Sequence, residues 1–341
     1  MNDSEAFPYS LTLDNYRQGT NDFLYIREFP QFAGQAIDLK EYMDVVKRDV
    51  PQFKSTLGSG SEVMLIPAET LTMPVDTSAI LEKGIIPDHL KPYLVDRMFF
   101  DFKRNQQGEL KSRTVDKGQM MLFDLIAQNN WERPIYFNYT SVNALNWEAD
   151  PYLVQEGMAY RLLPVRKPSD MRELVNTDLM YDNVMNKMQF RGLDNPKANL
   201  NEDYRGFVQN HRSMVTSLAD ALVAEGDLTR AKEVLDFGMA KMPIEAIPYD
   251  VSTVGFVQGY FDIGEEEKAT EMAMEMAEQF NAELSYMQNK MRYNFDFSNK
   301  LRGLRYLQLL LNEKGKTEEG KRVEDMLNEQ NIRLGMDRSS F

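Results

Sequence analysis

The 341-residue chain contains no cysteine and only two histidines, His89 and His211. Without cysteine there are no disulfides, thiolate zinc sites, iron–sulfur clusters or cysteine nucleophiles. Two histidines cannot form a three-histidine metal centre. Basic residues are also in short supply, 39 against 53 acidic, which leaves a formal net charge of −14. Phosphate contacts need a basic face, so no nucleic-acid partner is expected. Long apolar runs are missing as well. The stretch Met120-Met121-Leu122-Phe123 falls far short of the roughly 18 to 20 apolar residues of a membrane helix. The start, Met-Asn-Asp-Ser-Glu-Ala, lacks the basic and apolar regions of a signal peptide. The chain therefore reads as a piece cut from a longer protein.

Apolar residues make up 43% of the chain and aromatics 11%, enough to bury substantial cores. The length predicts two domains. The 22 methionines are expected to act as adaptable core filler.

In the first half, strand-like and helix-like segments alternate. Residues 38–50 carry helical spacing at Leu39, Met43, Val46 and Val50, with Asp38 as N-cap and Pro51 as stop. Strands are predicted at 62–67 and 97–103, the second turning at Gln106-Gln107-Gly108 into a hairpin with 109–116. Residues 117–130 return to helical spacing, with Met121, Leu125 and Ile126 on one face. Further strands are predicted at 134–140 and 159–165. A mixed α/β domain over 1–193 follows from this interleaving. Residues 194–204 are polar and aperiodic, and read as a linker or loop.

Beyond 204 the pattern is helical and recurrent. Leu218-Ala219-Asp220-Ala221-Leu222, Gly226, Ala231, Leu235 and Pro243 resemble a tetratricopeptide repeat, a helix–turn–helix of about 34 residues. A second unit has Phe256, Tyr260, Gly264 and Ala269, and a third has Leu304, Leu307, Leu311, Gly315 and Gly320. Ala219 and Ala231 are placed where paired helices cross closely, and Ala269 is the equivalent of Ala231 in the second unit. The fold class is thus expected to be α+β, with a helical repeat domain over 205–341. Residues 211–290 hold 15 acidic and 6 basic residues, so a neutral or basic partner suits this region better than an acidic peptide tail.

No catalytic signature, cofactor motif or metal cluster is present. Gly58-Ser59-Gly60-Ser61 precedes a strand, whereas a phosphate loop must follow one and open a helix. Glu265-Glu266-Glu267 opens a helix, where acids favour the dipole. His89 reads as a structural histidine and His211 as a surface or capping residue near a helix start. The most distinctive stretch is Asn129 to Phe137, in which Trp131 and Pro134 join a helix end to a strand start. Ligands of α/β sheets gather at the carboxyl ends of strands. The candidate binding residues are therefore Asn138, Tyr139, Thr140 and Asn143. Arg133 and Arg161 join them as donors of paired hydrogen bonds to an anion or glycan.

Three segments carry a resemblance. They are Ser10-Leu11-Thr12-Leu13-Asp14-Asn15-Tyr16-Arg17-Gln18-Gly19-Thr20, Asn130-Trp131-Glu132-Arg133-Pro134-Ile135-Tyr136-Phe137 and Gln155-Glu156-Gly157-Met158-Ala159-Tyr160-Arg161-Leu162-Leu163-Pro164. In this order, and followed by repeat-like helices, they resemble the C-terminal part of a bacterial domain-of-unknown-function family. Its members are multi-pass membrane proteins similar to protein O-mannosyltransferases of the GT-C class. The resemblance implies a soluble extracytoplasmic part on the periplasmic side of the inner membrane, next to its own membrane domain. No catalytic residue of such enzymes matches a position here. The expected role is non-catalytic: binding acceptor protein or glycan, or bracing the membrane part. The alternative is an independent enzyme acting on sugars or peptides at the sheet edge.

Overall fold

A computed structural model describes residues 23–58, 60, 62–198, 202–287 and 295–334. The segment 10–20, Ser59, Ser61 and residues 199–201 of the expected linker lie outside the described residues. The chain is α+β, with mixed sheets in its N-terminal half and mostly helices in its C-terminal half. It forms two compact units, the first of residues 1–155 and 159–176 and the second of 156–158 and 177–341.

Three mixed sheets make up the first unit. One runs in the order β3 (Lys54–Thr56), β4 (Glu62–Ile66), β1 (Phe23–Ile26) and β7 (Thr114–Asp116). Its centre is parallel, with Leu24 opposite Met64 and Ile26 opposite Ile66. The second joins β2 (Ala36–Asp38), β5 (Thr70–Pro74) and β6 (Arg97–Asp101). The third runs β11 (Leu174–Val175), β9 (Leu153–Gln155), β10 (Tyr160–Leu162) and β8 (Tyr136–Phe137).

Helix α1 (Leu39–Lys47) starts as its sequence dictates, because the Asp38 carboxylate accepts from the N–H groups of Lys40 and Glu41. A short α2 (Thr77–Glu82) is capped by Asp76. Helix α3 (Lys117–Gln128) is capped by Asp116. Its buried face includes Met120, Phe123, Ile126 and Ala127, so of the expected face Ile126 is buried, whereas Met121 is 38% exposed and turns away from the core. The aromatic centre of the core is Trp147, fully buried, with Phe100 and Phe123 ring centroids 5.2 and 5.1 Å away.

Two strand expectations need correction. Residues 97–116 do not pair along their whole length, and the hairpin is confined to the turn: Arg104 and Leu110 form an antiparallel bridge, with the Asn105 N–H donating to the Glu109 carbonyl (2.8 Å) and the Lys111 N–H to that of Lys103 (2.8 Å). The turn exists, with the Asn105 side chain accepting from the N–H groups of Gln107 and Glu109, but β6 pairs with β5 while β7 pairs with β1 in another sheet. The strand expected over 134–140 is only β8, because α4 (Tyr139–Ala144) begins directly after it.

The second unit opens with α5 (Thr177–Asp182) and a π-helical turn at Asn183–Lys187. Six helices then form three pairs: α6 (Glu202–Ala224) with α7 (Leu228–Lys241), α8 (Val254–Asp262) with α9 (Glu266–Tyr286), and α10 (Phe295–Glu313) with α11 (Thr317–Leu334). No strand occurs between 211 and 330 among the described residues. Each pair turns the same way. Gly226, Gly264 and Gly315 take φ of +82°, +83° and +77°, a region natural to glycine. After each, an N–H reaches back five residues, Asp227 to the carbonyl of Leu222, Glu265 to Tyr260 and Lys316 to Leu311. The glycine N–H closes the inner bond, to Val223, Phe261 and Asn312. This double closure is the Schellman motif, met here three times.

Ala231, Ala269 and Gly320 each occupy the fourth position of the second helix, five residues after the turn glycine. All three are buried. Other glycines sit where no side chain fits: a Cβ on Gly238 would lie 2.7 Å from Val215, and one on Gly303 would lie 2.6 Å from Phe280. His211 lies inside α6 rather than at its start, with Nδ1 2.6 Å from the Phe207 carbonyl oxygen.

Candidate functional site

The candidate residues surround the junction of β8 and α4. Upstream, α3 ends in two successive residues with left-handed backbone, Asn130 (φ 48°) and Trp131 (φ 59°), uncommon for side chains larger than glycine. Asn129, 4% exposed, holds this bend: its amide donates to the Arg133 carbonyl (2.7 Å) and its oxygen accepts from the Arg133 N–H (3.3 Å). Lys83 Nζ donates to the Asn130 carbonyl at 2.9 Å. The chain then enters β8 with Phe137 buried and Tyr136 exposed.

Asn138 stops the strand. Its side-chain oxygen accepts from the Ser141 N–H (2.7 Å) and from Thr140 Oγ1 (2.8 Å), while Ser141 Oγ accepts from the Asn138 N–H (3.0 Å). The pair forms a reciprocal capping box, and it accounts for the side chains of Asn138 and Thr140. Tyr139 and Asn143 are exposed, as is Arg133.

Register places the remaining groups. Arg161 lies opposite Tyr136, and Tyr160 opposite Phe137. Neighbouring side chains along a strand face opposite ways, so Arg161 shares a face with Tyr136 while Tyr160 shares the other with Phe137. Burial pushes the Tyr160 phenol up to about 12, helped by the negative charge of Glu173 and by Tyr139. Tyr139 thus lies within electrostatic range of Tyr160, and of the six expected residues register places Arg161 on the Tyr136 face of the edge.

Sequence reasoning missed Tyr136, 47% exposed beside Tyr139 at 62%. The signal lay in Tyr-Phe-Asn-Tyr: the buried Phe137 fixes its neighbour outward. It missed Asn129 too, whose partners are backbone groups four residues on. His89 is structural as expected, its Nε2 3.0 Å from the Val175 carbonyl oxygen.

Among the described residues, no group of three or more histidine, aspartate or glutamate side chains is arranged to hold a metal ion. No described helix is long and apolar enough to cross a membrane. The family model of TMEM260-associated domain 2 matches residues 1–180. The chain belongs to this family. In this TMEM260-associated domain the matched span includes the whole of the first unit and ends four residues after it, at the start of the helical unit. No curated protein and no solved structure matches the chain.

Proposed function

We propose that this TMEM260-associated domain is a non-catalytic binding module. In this reading it is the extracytoplasmic, periplasmic-side part of a larger membrane protein resembling GT-C glycosyltransferases. It binds an acceptor protein or glycan at the β8 edge, and its tetratricopeptide-like helix pairs brace the assembly or hold a peptide.

One observation carries the binding reading. Tyr136 and Tyr139 stand out from the surface three residues apart, on backbone fixed by the Asn138–Ser141 capping box. Tyrosine gives an amphipathic contact face with little rotamer freedom to lose, so two anchored rings make an economical recognition surface. Tyr139 lies within electrostatic range of the half-buried Tyr160, and Arg161 shares the Tyr136 face.

Binding of acceptor peptides and oligosaccharides to the purified chain, measured by calorimetry, tests this reading. Tyr136→Ala and Tyr139→Ala should each weaken binding by roughly tenfold, since interface tyrosines are frequent hot spots. Asn138→Ala should lower stability by about 1 kcal/mol through loss of the cap, read in a thermal melt. Unchanged affinity in both tyrosine variants would overturn the proposed surface. Sugar transfer catalysed by the isolated chain would overturn the non-catalytic role.

A further inference from the structure

A second feature of the first unit is independent of the β8 edge. A cleft of about 650 Å³ opens between residues 92–95, Pro151, residues 166–169 and Met171. Backbone hydrogen bonds fix its walls in advance. Val95 N–H donates to the Pro164 carbonyl (3.0 Å), Arg166 N–H to Tyr93 (2.8 Å) and Lys167 N–H to Pro151 (2.8 Å). Leu94 and Val165 form an antiparallel bridge in the same wall. Pro92, Pro151, Pro168, Tyr93 and Met171 supply an apolar and aromatic lining. Polar groups make up as much of the lining as these apolar ones, so the cleft suits a ligand with both an apolar and a polar part.

The charges in the lining are unequal. Lys167 is largely buried, and its ammonium is spent on Asp150 Oδ2 (2.7 Å) and the Arg172 carbonyl (2.8 Å). Arg166 is exposed to the cleft, and no carboxylate lines it. Among the described residues no acidic side chain pairs with the Arg166 guanidinium.

We propose that this cleft binds a single carboxylate carried on an apolar body, with Arg166 as its anchor. A guanidinium matches a carboxylate with two parallel N–H···O bonds, and the prolines, Tyr93 and Met171 receive the attached apolar group. The charge count selects carboxylate over phosphate. One uncompensated cation balances one negative charge, whereas a phosphate monoester brings close to two at neutral pH, and the acidic chain repels the excess.

Titration of the full chain with benzoate, followed by the Met171 methyl resonance, tests the site. Saturable shifts confined to the cleft are expected. Arg166→Gln should weaken binding by about tenfold or more, the usual loss on removing a charged hydrogen-bond partner. Arg166→Lys should fall between, and inorganic phosphate should bind more weakly than benzoate. Arg166 is exposed, so an unchanged thermal melt shows that the variants fold. A short apolar peptide, compared with its C-terminally amidated form, separates two sources of the group. Binding of the free acid alone assigns a chain terminus, and binding of benzoate alone assigns a small organic acid; either supports the site. Unsaturable shifts spread over the surface, equal affinity in Arg166→Gln, or phosphate binding tighter than benzoate would overturn it.

Discussion

Tyr160 shows how one residue reads its surroundings. Its phenol sits half-buried opposite Phe137, with Glu173 in electrostatic range. The folded chain therefore holds the proton to about 12, against an ordinary value of 10.0. Between those values the unfolded chain has released a proton that the folded chain keeps. Stability must then fall as pH rises through this window, and the contribution is fully present below about 10. Denaturant midpoints measured across the window should decline in the native chain and decline less in Tyr160→Phe. Equal decline in both would show that Tyr160 does not carry the effect. Asn138 is the opposite case, a polar residue whose role is local. Tyr, Phe and Thr in Tyr-Phe-Asn-Tyr-Thr-Ser favour a strand, yet one amide oxygen accepting from Ser141 N–H and Thr140 Oγ1 ends it. The sequence cue, asparagine followed three residues later by serine, is easily hidden beneath β-prone neighbours.

At the scale of elements, what was legible is what local chemistry decides. Helix α1 was readable because Asp38 caps it and Pro51 lies beyond it. The three glycine turns were readable because a positive φ leaves few other residue types. The reach of the hairpin within 97–116 was not, since beyond the Arg104–Leu110 bridge partner choice is settled by distant strands: β7 finds β1, some ninety residues earlier. The phase of α3 depended on which side Trp147 and Phe100 occupy, and periodicity alone leaves that open. Of the candidate site, the sequence located the edge but not its two faces, because register with β10 was unknown. Close helix contact in the second unit gives a direct test. Ala231 is fully buried at the fourth position of α7. Leucine there should overpack the first pair and cost about 1 to 3 kcal/mol. A thermal melt of Ala231→Leu superimposable on the native one would show that this position has slack.

Taken whole, the acidic charge is partly organised. Lys232 meets Glu265 (2.5 Å), and Lys268 meets Asp236 (2.6 Å) while lying over the Tyr260 ring at 4.1 Å. Lys314 meets Asp262 (2.6 Å), and Lys316 meets Glu266 (2.7 Å). The first two tie α7 to the second pair, and the last two tie the turn at Gly315 to the turn at Gly264. Each is at least partly exposed, so each contributes about 0 to 1 kcal/mol and is screened by salt. Raising ionic strength from about 0.01 M toward 1 M, which shortens the Debye length from about 30 to 3 Å, should speed amide exchange at the turns around Gly264 and Gly315 more than in the α6–α7 core. Uniform exchange would deny the seam a role. The recurrent turn has a mechanical consequence. Every Schellman closure is satisfied within its own pair, so a pair can detach without breaking the turn of its neighbour. Under tension applied to its two ends, the helical unit should extend as a staircase, yielding one hairpin per step instead of rupturing in a single event.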